Sequence, residues 1–290
     1  MADTDNSNKA ISYAVVAAAF YALSAPLAKL LLNDVSEIIL AGLLYLGAGL
    51  AMVIISVGQR FISRPSKEIP LGRTERPYVI AMVGLDILAP ILLLIGLRSS
   101  SAANVSLLNN FEIVATSLIA WVAFGERVSR RLILGVGLIT FSTLVLSFQP
   151  GSLNFSPGSI FVLLACITWG LENNCTRMIS SKDTKQIVMI KGIGSGVGSL
   201  IIGLILGNHL PSPMIVGGAL LLGFVAYGLS VYLYVKAQRE LGAAKTSAYY
   251  AIAPFLGAAF SIILLREVPG WNFVLALIIM ILGTYFTNRG

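Results

Sequence analysis

The sequence predicts an all-α polytopic membrane protein of ten transmembrane helices, built as two inverted five-helix repeats with both termini cytoplasmic. The prediction comes from an extreme apolar composition, a biased distribution of basic residues and an internal repeat. Of the 290 residues, 57% are hydrophobic and 11% are charged, and the mean hydropathy is +0.86. A soluble domain could not bury that much apolar surface, whereas a bilayer solvates it.

Apolar segments long enough to span a membrane account for nearly the whole sequence. A helix needs roughly 20 apolar residues to cross the hydrocarbon core, so the chain has room for about ten. The predicted spans are 10–32, 36–57, 76–97, 99–123, 131–149, 157–179, 185–207, 213–238, 243–265 and 268–288. Most links are short and carry Pro, Gly or Asn turn signals, which leaves no room for a soluble cofactor-binding domain.

The basic residues orient the spans. With a cytoplasmic N-terminus, sixteen Lys and Arg lie in inner segments and three, Lys29, Arg98 and Arg266, lie outside. This bias obeys the positive-inside rule. It also accounts for the net charge of +7 without a nucleic-acid partner, because the basic residues sit in short loops. Lys191 lies within the seventh span, and we expect it to extend toward the cytoplasmic interface rather than to pair with a carboxylate.

The second half of the chain repeats the first. Glu126 matches Glu267 at an offset of 141, and the segment 21–29 matches 169–177 at an offset of 148. The repeats are residues 1–150 and 151–290, and five spans in each repeat place the second copy upside down. Inverted repeats are typical of secondary transporters, whose site forms near the midplane between the repeats. Some channels share this architecture, so the repeat alone leaves the mechanism open.

Short motifs add a family resemblance. They are the Gly125-Glu126-Arg127 turn, the openings Tyr21-Ala22 and Trp169-Gly170 of the two halves, and Pro254 thirteen residues before Glu267. Over essentially the whole chain these features resemble the drug/metabolite transporter superfamily, EamA type, and within it the YddG amino-acid exporters. The resemblance implies export of aromatic and other neutral amino acids across the cell inner (plasma) membrane, without a cofactor.

Acidic residues inside the spans are the first site candidates. A charged group at the bilayer centre costs roughly 2.5–3.5 kcal/mol on insertion scales, so it persists only beside a partner or a wet cavity. Asp86 shares one face of the third span with Tyr78, Met82 and Pro90, which predicts a cavity wall. The alternative is an aspartate that is buried protonated or paired with a neighbour.

The fourth span carries a second polar face. Asn109, Glu112 and Thr116 recur at three- and four-residue spacing. Amides can bind the ammonium or carboxylate of a zwitterion, and the Glu112 carboxylate can hold a cation or a proton. The alternative is interhelical hydrogen bonding that holds the bundle together.

The second half supplies a different set of side chains. Trp169, Glu172 and Asn173 lie close together on the sixth span, where Trp169 and Glu172 can form an apolar wall and an ammonium anchor. Ser24 aligns with Glu172, and this asymmetry suits an asymmetric substrate; the alternative is that Trp169 is ordinary packing. Tyr227 aligns with Asp86 and Tyr250 with Asn109, so we expect both in the cavity.

These residues favour a secondary transporter that exports amino acids or similar small metabolites by alternating access, as a monomer or weak homodimer. A passive channel and, less favoured, an intramembrane enzyme remain alternatives. The zinc-protease and serine-hydrolase motifs are absent, although intramembrane acids are present. His209 has no second ligand nearby, so no metal site is expected. Glycine pairs in the seventh span, Gly192/Gly196, Gly194/Gly198 and Gly203/Gly207, predict close helix contact.

Overall fold

The computed structural model describes residues 2–62, 69–124, 129–148, 156–241, 246 and 249–287. Within these ranges the chain is helical and contains no β-strand, and an isolated bridge joins Ile69 to Lys182. The helices are α1 Ala2–Ala22, α2 Ser24–Leu31, α3 Glu37–Ile62, α4 Arg76–Arg98, α5 Ala102–Leu108, α6 Phe111–Phe124, α7 Arg130–Ser147, α8 Pro157–Met178, α9 Thr184–Ile205, α10 Pro213–Leu222, α11 Ser230–Leu241, α12 Ala253–Leu265 and α13 Trp271–Thr287, and a π-helical segment, Gly223–Leu229, joins α10 to α11.

Many of these helices have the length and composition of membrane spans. Within the described ranges, seven helical stretches are long and apolar enough to cross a bilayer, and α12 and α13 are shorter apolar helices. Helix α8 has 22 residues but includes Glu172, Asn173, Asn174 and Arg177, and it is not among the seven. The polytopic helical class is therefore confirmed, while the count of ten spans stays a prediction.

Two predicted spans are broken helices. In the first span, α1 ends at Ala22, four residues before Pro26, whose ring lacks an N–H and crowds the carbonyl of residue 22. In the fourth span, α5 ends at Leu108 and α6 begins at Phe111. The helix is thus interrupted at Asn109. Asn109, Glu112 and Thr116 nevertheless lie toward the same neighbour, α8, where they contact Cys166 and Asn173.

Glycines bring α3 and α9 into backbone contact. A Cβ added at Gly192 would lie 2.5 Å from the Gly49 nitrogen, and one at Gly196 would lie 2.7 Å from the Leu46 nitrogen. Only glycine permits such an approach, so the predicted close contact is confirmed for this pair. For Gly207 the prediction is wrong. This residue follows the end of α9 with φ of 81° and no neighbour near its Cβ position, as in a left-handed helix cap.

Cations and an acid close the end of the bundle where α4 ends. The Lys29 ammonium donates to the backbone oxygens of Leu97, Arg98 and Ser100. Arg98 in turn donates to the oxygens of Leu32 and Val35 beyond α2. Each cation thus satisfies carbonyls left without partners at the end of the other helix.

Glu267 completes this end of the bundle from the second half of the chain. Its carboxylate accepts from the Ala102 and Ala103 amides at 2.7 and 2.9 Å, where α5 begins. The Ser101 side chain accepts from Asn104 one residue further along. Together they satisfy the first amides of α5, which have no partner inside the helix. Glu126, the repeat match of Glu267, and the Gly125-Glu126-Arg127 turn lie outside the described residues.

The opposite end is joined by the segment before α4. Glu75 pairs with Lys182 at 3.3 Å, and the Asp183 amide donates to the Ile69 oxygen at 2.9 Å. The Gly72 N–H that donates to Glu75 lowers the pKa of that carboxyl. These contacts fix α4 against the loop between α8 and α9, and so position Asp86 opposite those two helices.

Candidate substrate-binding site

Three charged side chains from three helices meet inside the bundle. The Lys191 ammonium on α9 lies 3.2 Å from Asp86 Oδ2 on α4 and 2.8 Å from Glu172 Oε2 on α8. The Asp86 side chain is fully buried, that of Glu172 is 1% exposed and that of Lys191 is 26% exposed. One ammonium therefore serves two buried carboxylates, and we call Asp86, Glu172 and Lys191 the charged triad.

Hydroxyl groups complete the shells of both carboxylates. Tyr45 on α3 donates to Asp86 Oδ1 at 3.0 Å, and Trp169 Nε1 donates to the Tyr45 hydroxyl at 3.3 Å. Thr176 donates to the second oxygen of Glu172. Buried charges require such partners because no water replaces them, and the chain through Tyr45 fixes the aspartate relative to Trp169.

A second acidic position lies between α6 and α8. Glu112 Oε1 accepts a hydrogen bond of 2.7 Å from Asn173 Nδ2, which also reaches the Thr116 hydroxyl at 3.3 Å. Both Glu112 and Asn173 are partly exposed. Glu112 therefore has an amide partner, and within the described part of the chain no cation lies at ion-pair distance from it.

Tyrosines form the wall next to Glu112. The Tyr21 ring lies 5.8 Å from Tyr227 and 6.0 Å from Tyr250, and Tyr45 lies 5.9 Å from Tyr227, measured between ring centroids. Glu112 is within electrostatic range of the Tyr21 and Tyr250 hydroxyls. The Tyr45 side chain contacts both Asp86 and Tyr227, so the aromatic wall and the charged triad belong to one continuous centre.

Most of the residues predicted from the sequence lie in this centre. Asp86 and Glu172 share Lys191, Trp169 contacts Tyr45, and Asn173 binds Glu112. Tyr227 and Tyr250 belong to the aromatic wall, and Ser24 lies beside Tyr227. Their role in binding a substrate stays a prediction.

Two predicted residues stand apart from this arrangement. Tyr78 is 37% exposed and lies two turns from Asp86 along α4, about 12 Å at the helical rise. Met82, between them, packs against Ile179 and Ile187 instead of a cavity. Asn109 lies beside the Cys166 thiol, which approaches its side-chain oxygen at 3.8 Å, at the break between α5 and α6.

The expectation for Lys191 is wrong. It does not extend toward an interface, because two carboxylates from neighbouring helices hold its ammonium inside the bundle. Tyr45 and Tyr21 were not singled out as site residues at all. A signal for Tyr45 existed, since it is the only aromatic residue of the predicted second span, and a hydroxyl in so apolar a segment needs a partner.

No group of three or more His, Cys, Asp and Glu suited to a metal ion occurs among the residues that the structure describes. The triad already supplies its own cation in Lys191. An apolar helical bundle with a charged and aromatic centre is typical of membrane proteins that bind polar solutes or ions within the bilayer.

Comparison with known proteins identifies the family. The model of the EamA-like transporter family matches residues 8–148 and again 156–289. The chain belongs to the EamA-like transporter family, and it is a multi-pass membrane protein. An uncharacterized transporter of Methanothermobacter thermautotrophicus is 28% identical over 270 residues, which span 87% of this chain and 78% of that protein.

A solved crystal structure shares the fold. It superimposes with a TM-score of 0.65 over 97% of this chain and 95% of the other, at 14% sequence identity. At this identity the likeness establishes the architecture and leaves the solute open.

Proposed function

We propose that this protein is a secondary transporter of the inner (plasma) membrane that exports amino acids, aromatic and other neutral ones, or similar small metabolites, as the YddG amino-acid exporters do. It does so by alternating access between two inverted five-helix repeats, residues 1–150 and 151–290, and acts as a monomer or weak homodimer. The observation that carries the proposal is the Glu112–Asn173 pair beside the tyrosine wall. An acid, an amide and aromatic rings are the groups that an amphiphilic zwitterion requires.

The chemistry of an amino acid fits these groups one by one. The Glu112 carboxylate can take the substrate ammonium, since its described partner is the neutral amide of Asn173. The amide of Asn109 can donate to the substrate carboxylate. The rings of Tyr21, Tyr227 and Tyr250 offer an apolar wall to the substrate side chain, and aromatic faces also attract an ammonium.

The helix pairings support two related halves. Helix α3 packs on α9, α5 on α12 and α7 on α13, each a pair of spans that correspond in the repeat. Further contacts pair a helix of one half with a helix of the other, and the pairs have repeat counterparts. Helix α4 packs on α8, and in the counterpart pair the π-helical segment and α11 pack on α1. Likewise α6 packs on α8 as α1 packs on α12. Such an arrangement gives two equivalent ways to open around one centre.

A channel is the main alternative, and an intramembrane enzyme is the weaker one. Polar contacts join the bundle at both ends, through Lys29 and Glu267 at one end and through Glu75 and Lys182 at the other. A pore that stays open at both ends has no use for polar contacts that join its helices there. A carrier that opens first at one end and then at the other breaks one set of contacts while it keeps the other. This favours the carrier.

Uptake into proteoliposomes tests the proposal. Purified protein is reconstituted and supplied with a panel of labelled amino acids, phenylalanine, tyrosine, leucine and alanine among them. For the Glu112→Gln variant we expect uptake at low substrate concentration to fall roughly tenfold or more, because a charge-assisted hydrogen bond to the ammonium is lost. Glu240→Gln makes the same chemical change at an exposed position of α11 and should transport as the wild type does.

Two outcomes would contradict the proposal in different ways. If no amino acid enters, the assigned solute class is wrong, while membership of the family stands. If amino acids enter and Glu112→Gln matches the wild type, the site lies elsewhere in the bundle.

A further inference from the structure

The charged triad is not electrically balanced. Asp86 and Glu172 together carry two negative charges when ionised, and Lys191 supplies one positive charge to both. Glu112 adds a further acid on the neighbouring helix, within electrostatic range of Glu172 and Lys191. Uncompensated charge inside the hydrocarbon layer is costly. Taken without Glu112, the triad needs one more positive charge than Lys191 provides.

The geometry shows where that charge fits. Asp86 Oδ2 and Glu172 Oε2 both contact the same ammonium and are therefore at most about 6 Å apart, a separation at which two buried carboxylates repel strongly. Two buried carboxylates held this close to a single cation favour the retention of one proton, because it removes their mutual repulsion. The outer oxygens are already occupied, because Tyr45 donates to Asp86 and Thr176 donates to Glu172.

Polar and titratable groups from four helices surround Asp86 and Glu172. From α3 comes Tyr45, with Trp169 of α8 behind it. From α9 comes Lys191, from α6 Glu112, and from α8 itself Thr176 and Cys175. Lys191 is the most exposed member of the triad, at 26% of its side chain, so exchange with water can occur on its side of the cluster.

We infer that the charged triad is a proton-binding site in which Asp86 and Glu172 share one exchangeable proton beside Lys191. The proton brings the triad to neutrality, and its loss leaves the triad with a net charge of minus one. Because the pair bridges α4 and α8 while Lys191 belongs to α9, the charge state alters how strongly these three helices attract one another. The proton thus acts on the packing of the helices that surround the proposed solute site.

Difference infrared spectroscopy over a pH titration tests this inference without any solute. Wild-type protein in nanodiscs is expected to show a protonated side-chain carboxyl band that disappears as the pH is raised. Asp86→Asn and Glu172→Gln are each expected to abolish that band, because the one remaining carboxylate then forms a neutral pair with Lys191. Lys191→Met is expected to keep the band to higher pH, since the two carboxylates lose their cation.

Controls separate the triad from other acids. Glu112→Gln should leave the band in place, and so should the exposed change Glu240→Gln. Absence of any titrating protonated carboxyl in the wild type would overturn the inference, and so would a band that survives in Asp86→Asn and in Glu172→Gln. A band removed by Glu112→Gln alone would assign the proton to the other acid.

The infrared test still decides the question if one of the variants fails to fold. Thermal unfolding in the same nanodiscs identifies such a variant, and the wild-type spectrum together with the other acid variant then decides. Failure of amino-acid uptake would not bear on this result, because the titration contains no transported solute.

Discussion

Lys191 allows two carboxylates to lie side by side in the apolar interior. Its ammonium contacts Asp86 and Glu172 at 3.2 and 2.8 Å, and neither acid side chain is accessible to solvent. Removing one partner of a buried ion pair leaves an uncompensated charge, which usually costs roughly 3–5 kcal/mol. The lysine thus stabilises the contact between α4, α8 and α9 as well as the centre itself.

For Lys191→Met we accordingly predict a loss of roughly 3–5 kcal/mol in the free energy of unfolding at neutral pH. The loss should shrink as the pH falls, because protonation then neutralises the two carboxylates that the lysine no longer balances. Unfolding in detergent, followed by circular dichroism across a pH series, measures both effects. Lys185→Met, nearer the start of the same helix, is the matched control. A loss that is equal at all pH values would argue against the ion-pair account.

The individual acids could be found from the sequence, but their partners could not. Asp86, Glu112 and Glu172 stand out because a charge inside an apolar span is rare and expensive. Lys191 pairs with residues 105 and 19 positions away in the chain, and only the assembled bundle brings them together. Nothing in its own span distinguishes an extended lysine from a paired one.

At the scale of elements, glycine decides how closely α3 and α9 approach. Gly192 faces Gly49, and a Cβ at position 192 would lie 2.5 Å from the Gly49 nitrogen and 2.6 Å from its Cα. Backbone atoms cannot move aside as a flexible side chain can. The helices would therefore have to separate to accommodate a methyl group.

Gly192→Ala should destabilise the protein by roughly 1–3 kcal/mol, the usual cost of overpacking, and should lower the yield of folded protein. Gly84→Ala is the control, because Gly84 lies within α4 and has no neighbour within 4 Å of its Cβ position. There alanine should be neutral or slightly stabilising through its higher helix propensity. The melting temperature in detergent reports both changes, and equal effects at the two positions would contradict the close contact.

Sequence patterns predicted this contact but missed how the spans are interrupted. The glycine spacing of the seventh span indicates a close helix partner without naming it. Pro26 could have indicated the break in the first span, since a proline crowds the carbonyl four residues earlier. The break at Asn109–Asn110 has no proline, so the spacing of Asn109, Glu112 and Thr116 predicts their shared face but not the interruption of the helix.

Glu267 shows the same limit. The repeat marked this residue as equivalent to Glu126, yet its role depends on a contact between halves of the chain. Its carboxylate caps α5 by accepting from Ala102 and Ala103, residues far away in the sequence. The repeat indicates that a glutamate is required at this position, and the packed structure shows which backbone amides it binds.

For the whole molecule, the arrangement of contacts favours a carrier. The aromatic wall, Glu112 and the charged triad lie between helices of both predicted halves. Polar contacts join the bundle at the Lys29 end and at the Glu75 end. The proposed alternating access would require these two sets of contacts to release in turn.

Counterflow in proteoliposomes tests this central claim most directly. Vesicles are loaded with unlabelled phenylalanine at high concentration and diluted into a trace of labelled phenylalanine. The account predicts a transient overshoot of label inside the vesicles, which saturates with external substrate, because unlabelled phenylalanine inside competes with the label for the carrier and delays its exit. Rapid monotonic equilibration without overshoot and without saturation would contradict it and would identify a pore.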